Sequence, residues 1–502
     1  MVGNIKLVTT GFPYIPADLD FIGYMASTYV PADIYKRYLD IFEESNIFIS
    51  GTEVHGIQAK VEYDNGCKKN QKDPEEFKNE FHKVYEKQFN SLKIEFDYYS
   101  RIDSKDNKEL TYKALKNLKD KGLIIEKDTC VYKCEDCGNY LPQRFRKLKS
   151  TKGSFDYLKT REVGEEEIYC GFCGSENIEV KNKRHWFLDI PSSDSYKRII
   201  DQQKQSSVKK ALRFKCNYLE PWDITRENCW GYELPFDSDK QLYIWFPSLV
   251  ADISLLPREN QQKILNNEGV DIYYFIGKNI TFQHGIILPI IYDALGIENY
   301  NVYISSRGFM DEKNSDERLI SLNKALKKYN PDYLRFYICY KVPDNMQDFS
   351  LKEDEMKQII NGILCRRVGT LFTRIYKVLE DEGVEKVPSK KPHTDLLASY
   401  IQAIKNSVDN MRVNQTLKNI LKYVNSSHKM IHSDRLNKNL SEKEVAFLAR
   451  TCANTLTLLK PIIPEKIENY NIFDSWNISS LSNTENIENK ELTYNYKKWK
   501  KI

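Results

Sequence analysis

Two pairs of closely spaced cysteines form the clearest chemical pattern in the chain. Two residues separate Cys134 from Cys137 and Cys170 from Cys173, and 32 residues lie between the pairs. A glycine follows each pair, where relaxed backbone limits allow a tight turn that aims both sulfurs at one point. Four thiolates in this arrangement predict a tetrahedral zinc site, closed and structural rather than catalytic. The alternative is two unrelated pairs of free thiols.

The N-terminal segment has the pattern of a strand, a helix and a second strand. We predict strands at residues 6–10 and 47–50, joined by a helix over about residues 21–45. This order favours a parallel sheet, in which ligands bind beyond the carboxyl ends of the strands. We therefore expect residues 11–14 and 51–56 to lie side by side at a ligand-binding edge.

Composition narrows the class of protein. The chain has 502 residues, of which 41% are hydrophobic, and a formal net charge of +4, which does not by itself require a nucleic-acid partner. Because no run of about 18 apolar residues occurs, we expect no membrane span and no membrane partner. We read no signal peptide, so the 11 cysteines are expected as thiols and metal ligands of a cytoplasmic protein.

Several segments, in the same order, resemble class I aminoacyl-tRNA synthetases of the methionyl type over roughly residues 5 to 470. The segments are 29–38, 51–56, 134–145, 185–189, 222–226, 275–279 and 331–337. The resemblance implies an α/β fold with a Rossmann-type parallel nucleotide-binding sheet, split by a zinc-knuckle insertion and followed by an α-helical bundle that reads the anticodon. It also implies a reaction in which an amino acid attacks ATP, and the resulting adenylate acylates a tRNA.

Four regions are expected on this basis. They are the first half of the Rossmann-type domain (1–115), the connective insertion with the zinc knuckles (116–235), the second half with a degenerate lysine loop (236–355) and the helical bundle (356–502). The second half is predicted to resume with strands at 242–246 and 272–277. Three helices of the bundle are predicted at 396–411, 414–428 and 442–459.

The ATP-binding signature of the family is altered in this chain. Phe21 and Tyr24 stand where the family has two histidines that stabilise the phosphates, while Gly23, which lets a nucleotide approach the backbone, is kept. Phe21 cannot donate a hydrogen bond and Tyr24 carries no positive charge; the alternative for Phe21 is a core position on the first helix. The family's Lys-Met-Ser-Lys-Ser loop falls at residues 310–319, which carry four carboxylates, one lysine and one arginine. The family resemblance makes ATP a candidate ligand. Both altered motifs argue against ATP binding.

The amino-acid pocket keeps part of the family pattern. Tyr14, Trp245 and His284 match positions that surround the methionine side chain, whereas Asp252 stands where the family has a tyrosine. A carboxylate there would favour a cationic group on the ligand; alternatively, Asp252 caps a helix and turns away. The resemblance therefore predicts an amino acid or another amine-bearing small molecule as the ligand.

Other residues match nucleotide-binding positions of the family, although Asn279 replaces an aspartate that faces the substrates there. The nucleotide-binding set implied by the resemblance is Phe21, Gly23, Tyr24, Gly51, Glu53, His55, Gly277, Lys278 and Asn279.

The helical bundle has lost the residues that anchor the anticodon in the family. Asn425 is matched, but Ser433 and Asp434 occupy the place of a Pro-Trp pair whose tryptophan stacks on a base. This change argues against tRNA as a partner.

Three hypotheses about function follow. The first, which we favour, is a paralogue that binds or activates an amino acid outside translation, by adenylate or other acyl chemistry, for instance in specialised metabolism. The second is a non-catalytic protein that binds an amino acid, a nucleotide, tRNA or a protein partner. The third, with the least support, is a genuine ATP-dependent methionine–tRNA ligase.

Overall fold

The structure is a computed structural model that describes both halves of the expected sheet, the insertion and the bundle. The described residues are 4–15, 20–67, 72–142, 146–148, 168–311, 319–392, 394–432, 439–468 and 490–492.

Thirteen strands lie within these residues, and five of them form the central sheet. In chain order they are β1 (Ile5–Thr10), β2 (Ile47–Thr52), β3 (Tyr98–Arg101), β4 (Ile124–Cys134), β5 (Arg146–Leu148), β6 (Ile168–Cys170), β7 (Ile178–Leu188), β8 (Trp222–Asp223), β9 (Thr225–Arg226), β10 (Glu233–Leu234), β11 (Asp237–Leu242), β12 (Val270–Gly277) and β13 (Tyr300–Arg307). The central sheet has the order β13–β12–β1–β2–β3, with all strands parallel. Its register places the last residue of β1, Thr10, beside Phe275 of β12.

Eighteen α-helices lie within the described residues. They are α1 (Ile22–Tyr24), α2 (Val30–Ile41), α3 (Ile57–Glu62), α4 (Pro74–Ser91), α5 (Lys105–Asp120), α6 (Tyr196–Gln202), α7 (Ser206–Lys215), α8 (Trp245–Ser254), α9 (Arg258–Leu265), α10 (Leu288–Leu295), α11 (Leu322–Lys328), α12 (Pro331–Lys341), α13 (Glu353–Ile359), α14 (Gly369–Asp381), α15 (Ala398–Asp409), α16 (Val413–His432), α17 (Glu442–Leu459) and α18 (Pro464–Glu468). Wider π-type turns at Met25–Tyr29 join α1 to α2, so one helical run follows β1. The predicted strand–helix–strand unit is therefore confirmed.

The insertion interrupts the sheet with antiparallel structure. β4 and β7 pair over 11 residues each, from Ile124 opposite Leu188 to Cys134 opposite Ile178. This long ribbon carries the cysteine pairs at the end remote from the sheet, because β4 ends at Cys134. A parallel sheet, a cysteine-bearing insertion and a helical bundle together confirm the predicted fold class.

Two local predictions differ from the structure. The strand predicted at 242–246 is wrong, because β11 ends at Leu242 and Trp245 begins α8. A short apolar run does not distinguish a strand from a buried helix, and Pro247 fits the first turn of a helix, where its missing N–H costs nothing. The edge strand β3 had no counterpart in the prediction, since its four residues show no alternation of apolar and polar side chains.

A buried ion pair joins α12 to α2, and further bonds of the same arginine reach the bundle. Arg335, which is 0% exposed, contacts Asp33 at 2.6 Å between Nη2 and Oδ2. The same guanidinium donates to the carbonyl oxygens of Leu92 and Ile462, each at 3.0 Å, and of Pro461 at 2.7 Å. Because a buried charge needs partners on every side, these bonds fix α12 between the sheet and the end of α17.

The hydrophobic core of the bundle is continuous with one face of the central sheet. Buried side chains run without interruption from Val8 on β1, through α2 and α12, to Leu456 on α17. Three helices predicted for the bundle are found at α15, α16 and α17, each within a few residues of its predicted bounds. No helix in the described part of the chain is both long and apolar enough to cross a membrane.

Candidate functional site

A cavity of about 530 Å³ lies at the carboxyl edge of the central sheet and extends beneath the insertion. Its wall near the sheet is built by the loops after β1 and β2 and by the first turn of α8. The residues of that wall include Tyr14, Glu53, His55, Trp245, Ser248, Asn279, Gln283 and His284. The structure thus brings predicted amino-acid and nucleotide residues into one cavity.

The loops after β1 and β2 lie side by side, as the sequence predicts. The backbone N–H of Glu53 donates to the carbonyl oxygen of Pro13 at 2.8 Å, and Tyr14 pairs with Glu53 in a parallel bridge. This pairing holds the Glu53 side chain at the cavity wall next to the Tyr14 ring. Gly51, by contrast, lies inside the sheet: a Cβ there would stand 2.6 Å from Ile102.

Glu53 is the buried carboxyl group of this cavity. The side chain accepts hydrogen bonds from the Ser248 hydroxyl and from the backbone N–H of His55, the latter at 3.0 Å. Only 5% of the residue is exposed, and this burial raises the pKa of the Glu53 carboxyl to about 8. A buried carboxyl that lines a cavity favours a cationic ligand. The positive charge of the ligand would stabilise the ionised carboxylate, which burial otherwise disfavours.

Neutral acceptors line the same cavity as Glu53. Burial lowers the pKa of His284 to about 4, and its Nδ1 donates to the carbonyl oxygen of Ile280 at 2.9 Å. The neutral ring therefore keeps Nε2 as an acceptor. The side-chain oxygen of Gln283 is buried and finds no hydrogen-bond partner within the described residues. Acceptors without donors are the complement of an ammonium group.

Trp245 and His55 complete the wall near the sheet. The Trp245 ring meets the His284 ring edge-on, with 6.4 Å between centres. His55 lies 3.9 Å from Asp103, and burial lowers the pKa of His55 to about 4, so its imidazole is neutral at pH 7. The two imidazoles therefore add polarity but no positive charge to the cavity.

Asp252 does not line the cavity, which corrects its placement in the amino-acid pocket. The residue lies inside α8, is 1% exposed, and accepts hydrogen bonds from Thr9 at 3.1 Å and from the Tyr274 hydroxyl. It therefore turns away from the ligand, but as a buried partner of β1 and β12 rather than as a helix cap. Burial raises the pKa of Asp252 to about 7.

The predicted phosphate end of the site, which we call the mouth, is packed by the chain's own side chains. The mouth consists of Phe21, Gly23, Tyr24, Lys278 and Phe309. A Cβ on Gly23 would lie 2.4 Å from the Phe21 ring, which meets the Tyr24 ring edge-on at 5.2 Å. The space that we expected Gly23 to leave for a nucleotide is filled by Phe21.

The one lysine of the mouth is paired with a carboxylate. Lys278 Nζ lies 2.6 Å from Asp348 Oδ1, which also accepts the backbone N–H of Phe309 at 2.7 Å. The Phe309 ring lies 4.8 Å from the same ammonium group. Gly277 precedes Lys278 at the end of β12. The Asn279 side chain covers Gly277, since a Cβ added to Gly277 would lie 2.9 Å from Asn279 Oδ1. The positive charge of Lys278 is thus already neutralised.

Two predicted regions lie outside the described residues. They are residues 312–318, which include most of the altered lysine loop, and residues 433–434, the place of the anticodon pair. The expectations for these two regions therefore remain predictions from the sequence.

The four predicted metal ligands converge at one point of the insertion. Cys134 and Cys173 have their sulfurs 3.6 Å apart, Cys137 and Cys170 are 3.8 Å apart, and all four sulfurs lie within 4.8 Å of one another. Ligands at ~2.3 Å from a tetrahedral zinc ion stand about 3.8 Å from each other. The donor set and its spacing therefore fit zinc, and this cluster could hold the ion.

Each cysteine pair is held by a tight turn that ends at a glycine. Gly138 and Gly174 have φ values of 70° and 79°, and each donates its N–H to the first cysteine of its pair at 2.8 Å. These left-handed positions explain why glycine follows both pairs.

Some cavity residues were missed by the sequence prediction. Ser248, Gln283, Arg146 and Tyr132 line the cavity but belong to no motif. Ser248 could have been predicted from its place in the first turn of α8, and Gln283 from its place shortly after β12. Arg146 and Tyr132 had no signal, because the path of an insertion over a site is set by tertiary packing.

Comparisons with known proteins agree with this architecture. The chain is 25% identical to the methionine–tRNA ligase of Methanocaldococcus jannaschii, over 92% of this chain and 74% of the relative. The corresponding ligase of Methanococcus aeolicus is 26% identical over 74% of this chain, which spans 58% of that relative. For Aeropyrum pernix the identity is 26%, over 91% of this chain and 86% of the relative.

Solved structures share the fold along nearly the whole chain. A Mycobacterium tuberculosis methionyl-tRNA synthetase bound by methionyl-adenylate superposes with a TM-score of 0.76 at 16% identity, covering 98% of this chain and 99% of the other. The free form of that enzyme gives a TM-score of 0.71 at 15% identity and 99% coverage of each chain. The profile of the family described as tRNA synthetases class I (M) matches residues 6–376, and the chain belongs to that family.

Proposed function

We propose that this protein binds a free amino acid or a related amine in the cavity and does not charge tRNA by the family's reaction. The observation that carries the proposal is Glu53, a buried carboxyl that lines the cavity. An ammonium group that donates to Glu53 would offset the cost of ionising it in a buried position. The role is a ligand-binding one outside translation.

The mouth supports the second half of the proposal. Transfer of the adenylyl group from ATP to an amino-acid carboxylate, with loss of pyrophosphate, depends on cations and donors that are fixed in place before the reaction. In the mouth, Phe21 supplies neither, Tyr24 supplies no charge, and Lys278 is paired with Asp348. Losing one such donor costs about 2.7–4 kcal/mol of transition-state stabilisation, so we expect the adenylate step to be lost.

Adenylate chemistry is the second candidate function. His55 and Asn279 still line the cavity beside Glu53, and they could meet the far side of a nucleotide that entered by another path. In that case the protein would activate its amino acid and pass the acyl group to an acceptor outside translation.

One experiment separates the two candidates. Isothermal titration with the standard amino acids, ornithine and simple amines measures binding, and ATP–pyrophosphate exchange with the same compounds measures activation. We expect binding of at least one amine and no exchange. Exchange with any compound would support the second candidate, and the absence of amine binding would contradict the first.

We further propose a structural role for zinc. A closed four-cysteine site holds the end of the β4–β7 ribbon together and leaves no open position for water, so it takes no part in chemistry. Metal analysis of the purified protein should give one zinc ion per chain, and Cys134→Ser should lower this content.

A further inference from the structure

A second cavity, of about 840 Å³, lies between the β13 edge of the central sheet and the helical bundle. We call it the junction pocket and define it by Lys204, Ser207, Tyr340, Asp344, Arg412 and Lys418. Its walls are the turn between α6 and α7, the loop after α12 and the turn between α15 and α16. Among the described residues, none lines both this pocket and the cavity at Glu53. Small-molecule sites usually have volumes of about 300–1,000 Å³, and the junction pocket falls in that range.

The charged side chains of the pocket wall are mostly cationic. The four basic ones are Lys204, Lys341, Arg412 and Lys418. Asp344 is the one acidic residue among the described residues of the wall. It accepts from Arg307 at 3.4 Å and from the backbone N–H groups of Asn414 and Gln415 at 3.1 and 2.9 Å. Asp344 therefore neutralises a buried arginine and the first turn of α16, and leaves the cations of the pocket unbalanced.

Three of the four cations contact no carboxylate within the described part of the chain. Lys341 is the exception, since its ammonium group lies 2.6 Å from Glu355. Arg412 and Lys418 are exposed, and no ion pair joins either of them to another described residue. Cations that line one cavity without carboxylate partners create a local positive potential, which attracts anions into the cavity.

Lys204 holds its ammonium group partly buried in the pocket wall. Its Nζ donates to the backbone carbonyl oxygen of Asp409 at 2.7 Å and lies 4.4 Å from the centre of the Tyr303 ring. Burial lowers the pKa of Lys204, because a desolvated ammonium group is less stable. An ammonium group has three N–H donors, so the carbonyl oxygen leaves two of them for another acceptor. An anion beside Lys204 would therefore stabilise the charged form.

Two carboxylates act on Lys204 from a distance and are engaged elsewhere. The Asp409 carboxylate pairs with Lys405, and that of Asp271 accepts from Asn4 at 2.9 Å and from Asn301 at 2.7 Å. Both carboxylates oppose the effect of burial on the pKa of Lys204, but neither contacts its ammonium group. The contact position beside Nζ is thus left for a ligand.

The first turn of α7 adds a positive end to the same wall. Ser206 and Ser207, its first two residues, line the pocket. The preceding residue, Gln205, gives α7 no side-chain cap, because its amide bonds the edge strand β13 instead. The Gln205 amide accepts from the N–H of Ser306 at 2.7 Å and donates to the carbonyl oxygen of Ser306 at 2.8 Å. First-turn N–H groups lack partners within a helix, and they favour a negative charge nearby.

We propose that the junction pocket binds a small phosphate compound, with Lys204, Arg412 and Lys418 as its cationic contacts. A phosphate group combines a high negative charge with several acceptor oxygens, so it can meet donors from more than one wall at once. The cations line a hollow, which suits a compact anion better than the convex backbone of a nucleic-acid duplex. Because the walls belong to both the sheet domain and the bundle, the bound compound would stabilise their contact. The proposal does not depend on amine binding at Glu53.

Isothermal titration of the purified protein with inorganic pyrophosphate tests the proposal. Lys204→Gln and Arg412→Gln should each weaken binding by about tenfold or more, since each removes a donor with a full charge. Lys113→Gln, on the exposed face of α5, is the control and should bind as the wild type does. Arg412 is exposed, so its variant should keep the thermal unfolding midpoint of the wild type. Equal affinity of the wild type and the two pocket variants, or no binding at all, would overturn the proposal.

Two further probes identify the occupant. Citrate offers carboxylates in place of phosphate, and we expect it to bind more weakly than pyrophosphate. Tighter binding of citrate would overturn the assignment to phosphate compounds. A single-stranded oligouridylate that bound more tightly than pyrophosphate, and that required Lys204, would assign the pocket to a nucleic-acid backbone and overturn the small-molecule proposal.

Thermal unfolding locates the bound pyrophosphate. A ligand that binds only the folded protein raises the unfolding midpoint, so saturating pyrophosphate should raise that of the wild type and of Lys278→Gln alike, and that of Arg412→Gln less. A rise that required Lys278 and not Arg412 would place the pyrophosphate in the mouth and overturn the proposal. Because no amine is added in these measurements, the junction pocket and the amine site at Glu53 can each fail without the other.

Discussion

The mouth and the cavity wall around Glu53 lie at the same edge of one sheet, yet they satisfy their polar groups in opposite ways. In the mouth, Lys278 has Asp348 as its partner and the Phe21 ring fills the space above Gly23. In the wall, Glu53 is buried at a cavity and Gln283 has an orphan oxygen. The wall therefore has more to gain from a ligand than the mouth, because a buried acceptor without a donor costs free energy until one binds.

Removing the carboxylate of Glu53 should have the largest effect. Glu53→Gln keeps the size of the side chain but removes the charge that meets an ammonium group. We expect amine affinity to fall by about 100-fold, since a hydrogen bond to a charged group contributes about 1.5–3 kcal/mol. Titration of the variant measures this, and Glu62→Gln on the exposed face of α3 is the control. Unchanged affinity would place the amine elsewhere.

The pH dependence of amine binding should be nearly as large. Because burial raises the pKa of Glu53 to about 8, the empty site is mostly protonated at pH 6 and must lose a proton to bind an ammonium ion. Affinity should therefore rise about tenfold per unit from pH 6 towards 8 and then level off. Asp252, with a pKa of about 7, titrates in the same window, so Asp252→Asn should be measured beside Glu53→Gln. A flat profile in the wild type would contradict the role of Glu53.

A methyl group on Gly23 tests whether the mouth is truly packed. Gly23→Ala would place its Cβ 2.4 Å from the Phe21 ring and 3.1 Å from Met310, and overpacking typically costs about 1–3 kcal/mol. The thermal unfolding midpoint should fall accordingly. In a Phe21→Ala background the cost of Gly23→Ala should largely vanish. The same cost in both backgrounds would mean that Phe21 does not fill this space.

Releasing Lys278 should have the smallest effect. Asp348→Asn removes the partner of Lys278, but the pair is partly exposed, with 30% and 52% of the side chains accessible. Such pairs contribute about 0–1 kcal/mol, so ATP affinity should rise no more than about fivefold. Asp354→Asn, which loosens an exposed pair with Lys357, is the matched control. A rise of about 100-fold would mean that charge pairing alone, and not the aromatic packing, keeps ATP out.

The sequence predicted the frame of the molecule well, because the frame depends on local patterns. Strand β1, the helical run after it and helices α15–α17 follow from periodicity and from the family resemblance. The four-cysteine cluster follows from the spacing of its residues, since each Cys-x-x-Cys turn fixes its own geometry. The start of α8 at Trp245 was missed because a short apolar run does not distinguish a strand from a buried helix.

The site was predicted less completely, because its chemistry depends on what packs behind each side chain. Asp252 was placed in the pocket by its position in the sequence, and only the Thr9 and Tyr274 hydroxyls show why it turns away. Glu53 was assigned to the nucleotide, while its contact with Ser248 puts it beside the first turn of α8, where we propose that an amine binds. Arg146 had no signal, since the insertion reaches the cavity through tertiary structure.

The buried pair of Arg335 and Asp33 has a consequence for how this gene can change. A chain that ended before α17 would lose the carbonyl groups of Pro461 and Ile462 and leave the Arg335 guanidinium with only Asp33 and the backbone after α4 as partners. The segment after α17 therefore supports the packing of α12 against the sheet, and its loss would weaken a contact in the core of the sheet domain.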